Sequence, residues 1–292
     1  MSQFTNATCY TRKYMYIGID VGGTKTLVAS LDGNGVITEQ VRYPTPQDYS
    51  EFLTVLSTTL QSFKVTDFVC GGIGIPVTVF DRQSELAMSF GNLPWKDVAV
   101  QQDVEKICHC PVAVENDAKL AGLSEAMLLK EEFHKVLYVT VSTGIGFSFI
   151  NHEKIDTNMG DSGGHDLLIE YEGKLTPWES FASGHAIVDR FGKKAADIND
   201  TESWRIISHD LSKGLVELVA LTEPEVIVIG GSVGTYFNKY GGLLQAELEK
   251  YNLPLLKMPV IRGAQRAEEA VIYGCYDLAK QMYPDARTST ES

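Results

Sequence analysis

Asp20-Val21-Gly22-Gly23-Thr24-Lys25-Thr26 follows directly on an apolar run, residues 14–19. Glycines at such a turn let backbone N–H groups approach an anion without a side chain in the way. Thr24 and Lys25 add a hydroxyl and a cation, and Asp20 can hold a metal ion or its water. Together these suit a nucleotide's β- and γ-phosphates with Mg²⁺. A plain β-hairpin turn has the same outline. The long Gly-x-x-x-x-Gly-Lys spacing is absent and a strand follows the glycines, which excludes a Walker A loop and a dinucleotide fingerprint.

Four further stretches extend this chemistry. Ser142, Thr143 and Gly144 lie in a Thr/Ser/Gly turn between apolar runs and offer hydroxyls and bare N–H groups. Gly230, Gly231 and Ser232 end a buried strand and start a helix, a turn able to accept an adenine ring or ribose against backbone. Glu115-Asn116-Asp117-Ala118 joins a strand to a helix. Asp117 stands at the N-cap position, and a carboxylate exposed there stays ionised and can act as a general base. His165 and Glu179 supply the imidazole and carboxylate that hydroxyl-rich ligands require.

Elements that could position these residues follow from periodicity and turn chemistry. Strands are expected at 14–20, 26–31, 35–42, 67–75, 111–115, 136–142, 145–150, 225–229 and 257–261. Helices are expected at 48–63, 97–107, 117–129, 180–197, 201–221, near 233–249 and at about 266–282. Residues 76–95 and 157–179 read as irregular. Residues 14–35 and 136–152 share the order strand, small-residue turn, strand, polar turn, which suggests two similar lobes with a cleft between them. Ala267, Ala270, Val271, Gly274 and Leu278 share one face of the last helix, which should pack back on the first lobe.

The 292 residues suffice for two lobes, and 44% hydrophobic with 22% charged residues describe a globular protein. A net charge of −13 disfavours nucleic acid and anionic membranes as partners. The cysteines (Cys9, Cys70, Cys108, Cys110, Cys275) are odd in number and scattered, which points to a reducing, cytoplasmic setting. Cys108-His109-Cys110 invites a metal reading but lacks a second ligand pair. No membrane span or signal peptide is expected, and residues 1–13 read as an extension.

The Asp20–Lys25 turn resembles the first phosphate loop of the sugar-kinase/actin/Hsp70 superfamily, and most closely that of the ROK family of sugar kinases and repressors. The later motifs resemble the same family in the same order, from residue 14 to about 282. The resemblance implies an α/β fold of two actin-like (ribonuclease H-like) lobes around a central cleft. The first lobe would comprise 14–118 with about 266–292, and the second 119–265. It implies an ATP-dependent, glucokinase-like sugar kinase with Asp117 as base and Mg²⁺ near Asp20. Asp20, Gly22, Gly23, Thr24, Lys25, Ser142, Thr143 and Gly144 would hold phosphates, and Gly230, Gly231 and Ser232 the adenosine. Asn92, Asn116, Asp117, His165 and Glu179 would hold the sugar. Glucose is the default, with N-acetylated hexosamine, mannose and fructose open, and a homodimer is implied.

Several positions depart from the family pattern. Ser142 replaces a glycine, Phe147 and Phe149 replace a glycine-rich run, and Val77 replaces a glycine after Gly74-Ile75-Pro76. Asp161 stands one residue away from the usual sugar-binding Glu and is shorter. The zinc motif between His165 and Glu179 is missing, since residues 166–178 hold no cysteine. No structural zinc is expected, and Leu167, Leu168, Tyr171, Leu175 and Trp178 would have to hold that segment by packing. Family repressors carry a winged helix-turn-helix ahead of these lobes, and about a dozen residues here argue against it. A non-catalytic sugar-binding protein remains the other alternative.

Overall fold

The computed structural model describes residues 14–284 apart from 82 and 267. The expected extension at 1–13, the tail beyond 284 and Ala267 lie outside the described residues. Strand β1 (Met15–Val21) is almost entirely buried, as its unbroken apolar run requires. It turns into β2 (Lys25–Asp32), and β3 (Ile37–Pro44) follows as an edge strand alternating between half-buried and exposed residues. Then come α1 (Tyr49–Gln61), β4 (Cys70–Ile75), β5 (Val77–Asp81), β6 (Leu86–Phe90), α2 (Val100–Cys108), β7 (Val112–Asn116) and α3 (Asp117–Leu129). The first sheet has the order β3-β2-β1-β4-β7, with β4 and β7 parallel to β1 and the meander antiparallel.

The chain then repeats the plan. Strands β8 (Lys135–Val141), β9 (Ile145–Asn151) and β10 (Lys154–Ile155) form a second meander, and β11 (Leu168–Tyr171) with β12 (Lys174–Pro177) forms a separate hairpin. Helices α4 (Glu179–Ala182), α5 (Gly184–Phe191) and α6 (Thr201–Thr222) lead to β13 (Val226–Gly230), α7 (Gly231–Gly234), α8 (Phe237–Glu249) and β14 (Val260–Gly263). The second sheet, β10-β9-β8-β13-β14, reproduces the strand order and directions of the first. Among the described residues no helix is long and apolar enough to cross a membrane.

Helix α9 (Ala270–Met282) closes the molecule. Gly72 lets it lie on β4, since a Cβ there would fall 2.7 Å from the Cys275 carbonyl oxygen. Gly274 brings it onto α3, with a Cβ position only 2.1 Å from the Leu120 carbonyl oxygen. The other side of α3 meets β8 and β9, where Gly122 approaches the Ser148 hydroxyl and Tyr138. Helix α3 therefore has buried residues all round it and runs between the two sheets.

Parallel register sets the rim of the cleft. Asp20 pairs with Gly74, Gly74 with Glu115 and Ile75 with Asn116, so β1, β4 and β7 end at one level. In the second sheet Gly230 lies opposite Thr140, which levels the ends of β8 and β13. Ligand sites in such sheets form at carboxyl ends, where the loops are free of the ladder.

Two stretches expected to be irregular are hairpins. Residues 77–90 pair as β5 and β6. Residues 168–177 pair as β11 and β12 through a turn in which Glu172 and Gly173 have φ of 50° and 79°, the primed-turn geometry of tight hairpins. Strand alternation corrects the expected packing there: Leu168 and Leu175 are 55% and 73% exposed, while Ile169 and Trp178 are buried. The expected helix at 180–197 breaks at Ser183, whose extended backbone and hydroxyl cap α5. Likewise α7 and α8 are separate, and the last helix starts at Ala270, not 266.

Tyr171 stacks flat on Phe181, ring centroids 4.0 Å apart, and its hydroxyl accepts a hydrogen bond from Arg190, which also pairs with Asp210. Among the described residues no three His, Cys, Asp or Glu side chains form a group that could hold a metal. Cys108 and Cys110 are buried in the first core, and burial pushes the Cys108 thiol up to about 12.

Two outcomes are expected. Gly274→Ala should destabilise the protein by about 2–4 kcal/mol through backbone collision, whereas Gly242→Ala, with nothing near it on α8, should be neutral or stabilise by up to about 1 kcal/mol. Thermal melts of the two variants check this. Purified protein should hold well under one zinc per chain by elemental analysis, and chelator should leave its Tm unchanged.

Candidate active site

A cavity of about 890 Å³ opens between the two strand rims. From the first lobe it is lined by Asn92, Asn116 and Asp117, and from the second by Ser142, Thr143, Gly144, Asp161, His165 and Glu179. The Asp20–Lys25 turn and the Gly230–Ser232 turn are not part of its lining, and each adjoins it through a neighbour.

Asn116, not Asp117, caps α3. Its Oδ1 accepts from the N–H groups of Ala118 at 2.9 Å and Lys119 at 3.3 Å, and its Nδ2 donates to the Val77 carbonyl at 2.9 Å. Asp117 is the first helical residue and its Oδ1 accepts from the Ala118 N–H at 2.8 Å. It is half-buried at the rim, not exposed as its sequence position suggests. Desolvation outweighs the favourable backbone N–H groups and pushes its pKa up to about 6. Asp20 is pushed higher, to about 7, first by burial and then by the negative charge of Asp117, with Arg42 opposing. A desolvated carboxyl raised further by a neighbouring carboxylate marks a place where a cation relieves both burial and repulsion. With only these two carboxylates close together, a metal would need further oxygens from a phosphate and water, the way Mg²⁺ is usually held.

The first glycine turn is pinned from behind. Gly22 donates to the Lys25 carbonyl at 2.9 Å, and Thr45 holds the turn twice, donating its hydroxyl to Gly22 at 2.7 Å and its N–H to Thr24 at 3.0 Å. Thr24 and Lys25 stand exposed at the tip. A Cβ on Gly23 would lie 2.5 Å from the Asn92 Cβ, so the turn rests directly on a wall of the cavity. Thr45 was not legible as a site residue, because a lone threonine after an edge strand carries no motif.

The second turn and the sugar-side groups interlock. Ser142 donates to the Gly144 carbonyl at 2.9 Å and accepts from the Gly184 N–H at 2.7 Å. Glu179 reaches back to accept from the Ile145 N–H at 3.2 Å, and its Oε2 lies 2.6 Å from where a Gly144 Cβ would be. The glycine at 144 thus makes room for the Glu179 carboxylate. Gly231, with φ of 79°, presses on the Val141 carbonyl, which seats Gly230–Ser232 behind the second turn. His165 is exposed to the cavity, and its Nδ1 lies 2.7 Å from Asp166, whose hydrogen bond raises the imidazole pKa. Asp161 forms an ion pair with Lys119, a residue for which the sequence reading had no role.

The model of the ROK family matches residues 16–282. A glucokinase of Streptomyces coelicolor is 25% identical over 92% of this chain and 98% of its own length. An N-acetylmannosamine kinase of Escherichia coli is 26% identical over 82% and 91%. Among solved structures, a Streptomyces griseus ROK glucokinase in complex with glucose and AMPPNP superposes with a TM-score of 0.75, at 21% identity, over 91% of this chain and 99% of that one. The actin-like two-lobed fold is thereby shared.

The Asp20 carboxyl has a stability consequence. Its folded pKa of about 7 exceeds the unfolded 3.8, so the native state binds the proton more tightly and loses stability as pH rises from 4 to 7. Asp20→Asn should remove that loss and raise native stability at pH 8 by roughly 1–4 kcal/mol, with the gain shrinking towards pH 4. Urea unfolding of both proteins at pH 8 and pH 5 checks the sign.

Proposed function

The chain belongs to the ROK family, and from that premise we propose that it is an ATP-dependent sugar kinase that phosphorylates a hexose hydroxyl. The observation that carries this reading is the Asp117 carboxyl on the cavity rim, close enough to Asp20 for its charge to raise the Asp20 pKa. Binding alone needs no base, and a carboxyl held near neutral pKa at that place supports one.

Asp117 would accept the proton of the attacking hydroxyl as the oxygen meets the γ-phosphoryl group in line. Its pKa near 6 leaves it ionised at neutral pH yet more basic than an ordinary aspartate, which suits a general base. Glu179 accepts from sugar hydroxyls while the Ile145 N–H holds it in place, and His165 donates or accepts beside it. Asn116 spends its oxygen on the helix cap and one amide hydrogen on Val77, so its second amide hydrogen is what it offers the sugar. Lys25, Thr24 and the bare N–H groups of both turns face the phosphates, and Gly230–Ser232 the nucleoside. Asp20 would hold Mg²⁺ on the nucleotide, which supplies charge neutralisation at the transferred group.

Glucose and N-acetylmannosamine are the first sugars to try, because kinases for each are among the relatives. The four buried free thiols of the described residues suit a reducing compartment, and the reading includes a cytoplasmic location.

A coupled assay for ADP release across glucose, mannose, fructose and N-acetylmannosamine tests the activity. With the sugar that is turned over, Asp117→Asn should lower kcat by about 10²–10⁴-fold and leave sugar binding nearly intact. Because Asn116 caps α3, the amide swap leaves the helix start untouched. Wild-type kcat/KM should fall as pH drops through about 6, where Asp117 takes up a proton. A variant that turns over at the wild-type rate removes the base from the mechanism, and no ADP release with any sugar returns the chain to a non-catalytic role.

A further inference from the structure

Lys119 is a fully buried lysine, its side chain 2% exposed, two residues past Asp117 on α3. Its ammonium lies 2.7 Å from Asp161 Oδ1 and donates to the Met159 carbonyl at 2.9 Å. Both partners belong to the stretch that carries His165 to the cavity, and Asp161 is itself on the cavity wall at 15% exposure. The same stretch is laid on β9 from the other side: Gly163, with φ of 57°, would put a Cβ 2.4 Å from the Ile145 carbonyl oxygen. The regular structure of residues 159–165 is a single turn of 3₁₀ helix, Gly163–His165, which begins at the second contact.

We propose that Lys119 is a positioning residue for the sugar side of the cleft, and that Asp161 is its counter-ion and not a sugar ligand. The proposal rests on the kinase reading for what the cleft binds, but the latch itself does not depend on it. A buried ammonium without an anionic partner is strongly unfavourable. Asp161 is its one carboxylate partner among the described residues, and Oδ1, buried and without a hydrogen bond, has that ammonium as its ionic partner. Withdrawing Oδ1 towards a sugar hydroxyl would strand the lysine, so that oxygen is committed to the latch. Hydroxyl recognition on the proposed reading therefore falls to Glu179 and His165 with the Asn116 amide, and residues 159–165 are held to the same helix whose first residue is Asp117. Helix and sugar loop then move as one body, which keeps the accepting carboxylate in register with the hydroxyl it must deprotonate.

Removal of one member of a buried pair and removal of both have different consequences, and this separates a latch from a ligand. Lys119→Met, Asp161→Leu and the double variant are compared in two measurements. In the first, hydrogen exchange of the sugar-free proteins is followed at the amides of residues 159–165. Each single variant should lose protection there by about tenfold or more, and the double should regain most of it. In the second, KM is measured for whichever of glucose, mannose, fructose or N-acetylmannosamine is turned over. The singles should raise it about 10–100-fold, with kcat falling by less, and the double should return to within about fivefold of wild type. Unchanged exchange in the singles overturns the latch. A double variant that regains protection yet keeps the high KM of Asp161→Leu makes Asp161 a sugar ligand and overturns the counter-ion role. If single variants do not fold, the double still decides the matter. If the wild type phosphorylates none of these sugars, the kinase reading fails and the exchange data still judge the latch.

Discussion

Gly274 brings α9 so close to α3 that a methyl group in its place would sit 2.1 Å from the Leu120 carbonyl oxygen. That backbone-to-backbone approach fixes where α3 can be, and much else follows from it. One side of α9 lies on the first sheet through Gly72 and Gly18, and one side of α3 lies on the second through Gly122 and Gly146. The two helices are therefore the shared floor of both lobes. Since Asp117 opens α3, the carboxyl proposed as base is tied to the element that both halves of the molecule grip. A close-packed contact of this kind has little freedom to creep, so relative movement of the rims must be taken up in the loops above it.

Much of this was legible in the chain, and the reasons are local. The Asp20–Lys25 turn, the Ser142–Gly144 turn and the Asn116-Asp117 pair each stand where a buried apolar run ends, and a buried strand with nothing left to pair with must stop there. The repeated order of strand and turn at 14–35 and 136–152 became two sheets of identical connectivity. Less legible were features that depend on contacts distant in sequence. The capping role passed from Asp117 to Asn116 because the helix begins one residue earlier than the carboxylate suggested. Leu168 and Leu175 face outward because strand alternation, not overall apolarity, decides which side is buried. Thr45 and Lys119 carried no motif at all, since a hydroxyl or an ammonium acquires its role only from what folds against it.

The stretch between His165 and Glu179 is tied down by side-chain packing. The hairpin β11–β12 places Tyr171 flat on Phe181, while Arg190 bridges the tyrosine hydroxyl to Asp210 on α6. Phe181 belongs to the same short helix as Glu179, so the stack and the ion pair bear on the helix that presents the carboxylate. An aromatic stack joined to a partly buried charge pair is directional, as a metal centre is, but it requires no deprotonated thiolates. Burial holds the Cys108 and Cys110 thiols far above the range in which they would ionise.

The crowding of Asp20 against Asp117 also couples the cleft to its surroundings. Burial and the charge of Asp117 push the Asp20 carboxyl up to about 7, so its proton is held towards neutral pH, where an ordinary aspartate is ionised. On the proposed reading a cation beside Asp20 would compete with that proton, so acid would oppose its binding. The burial that sharpens the chemistry of the carboxylates thus also makes the protein's readiness to bind a reporter of ambient pH.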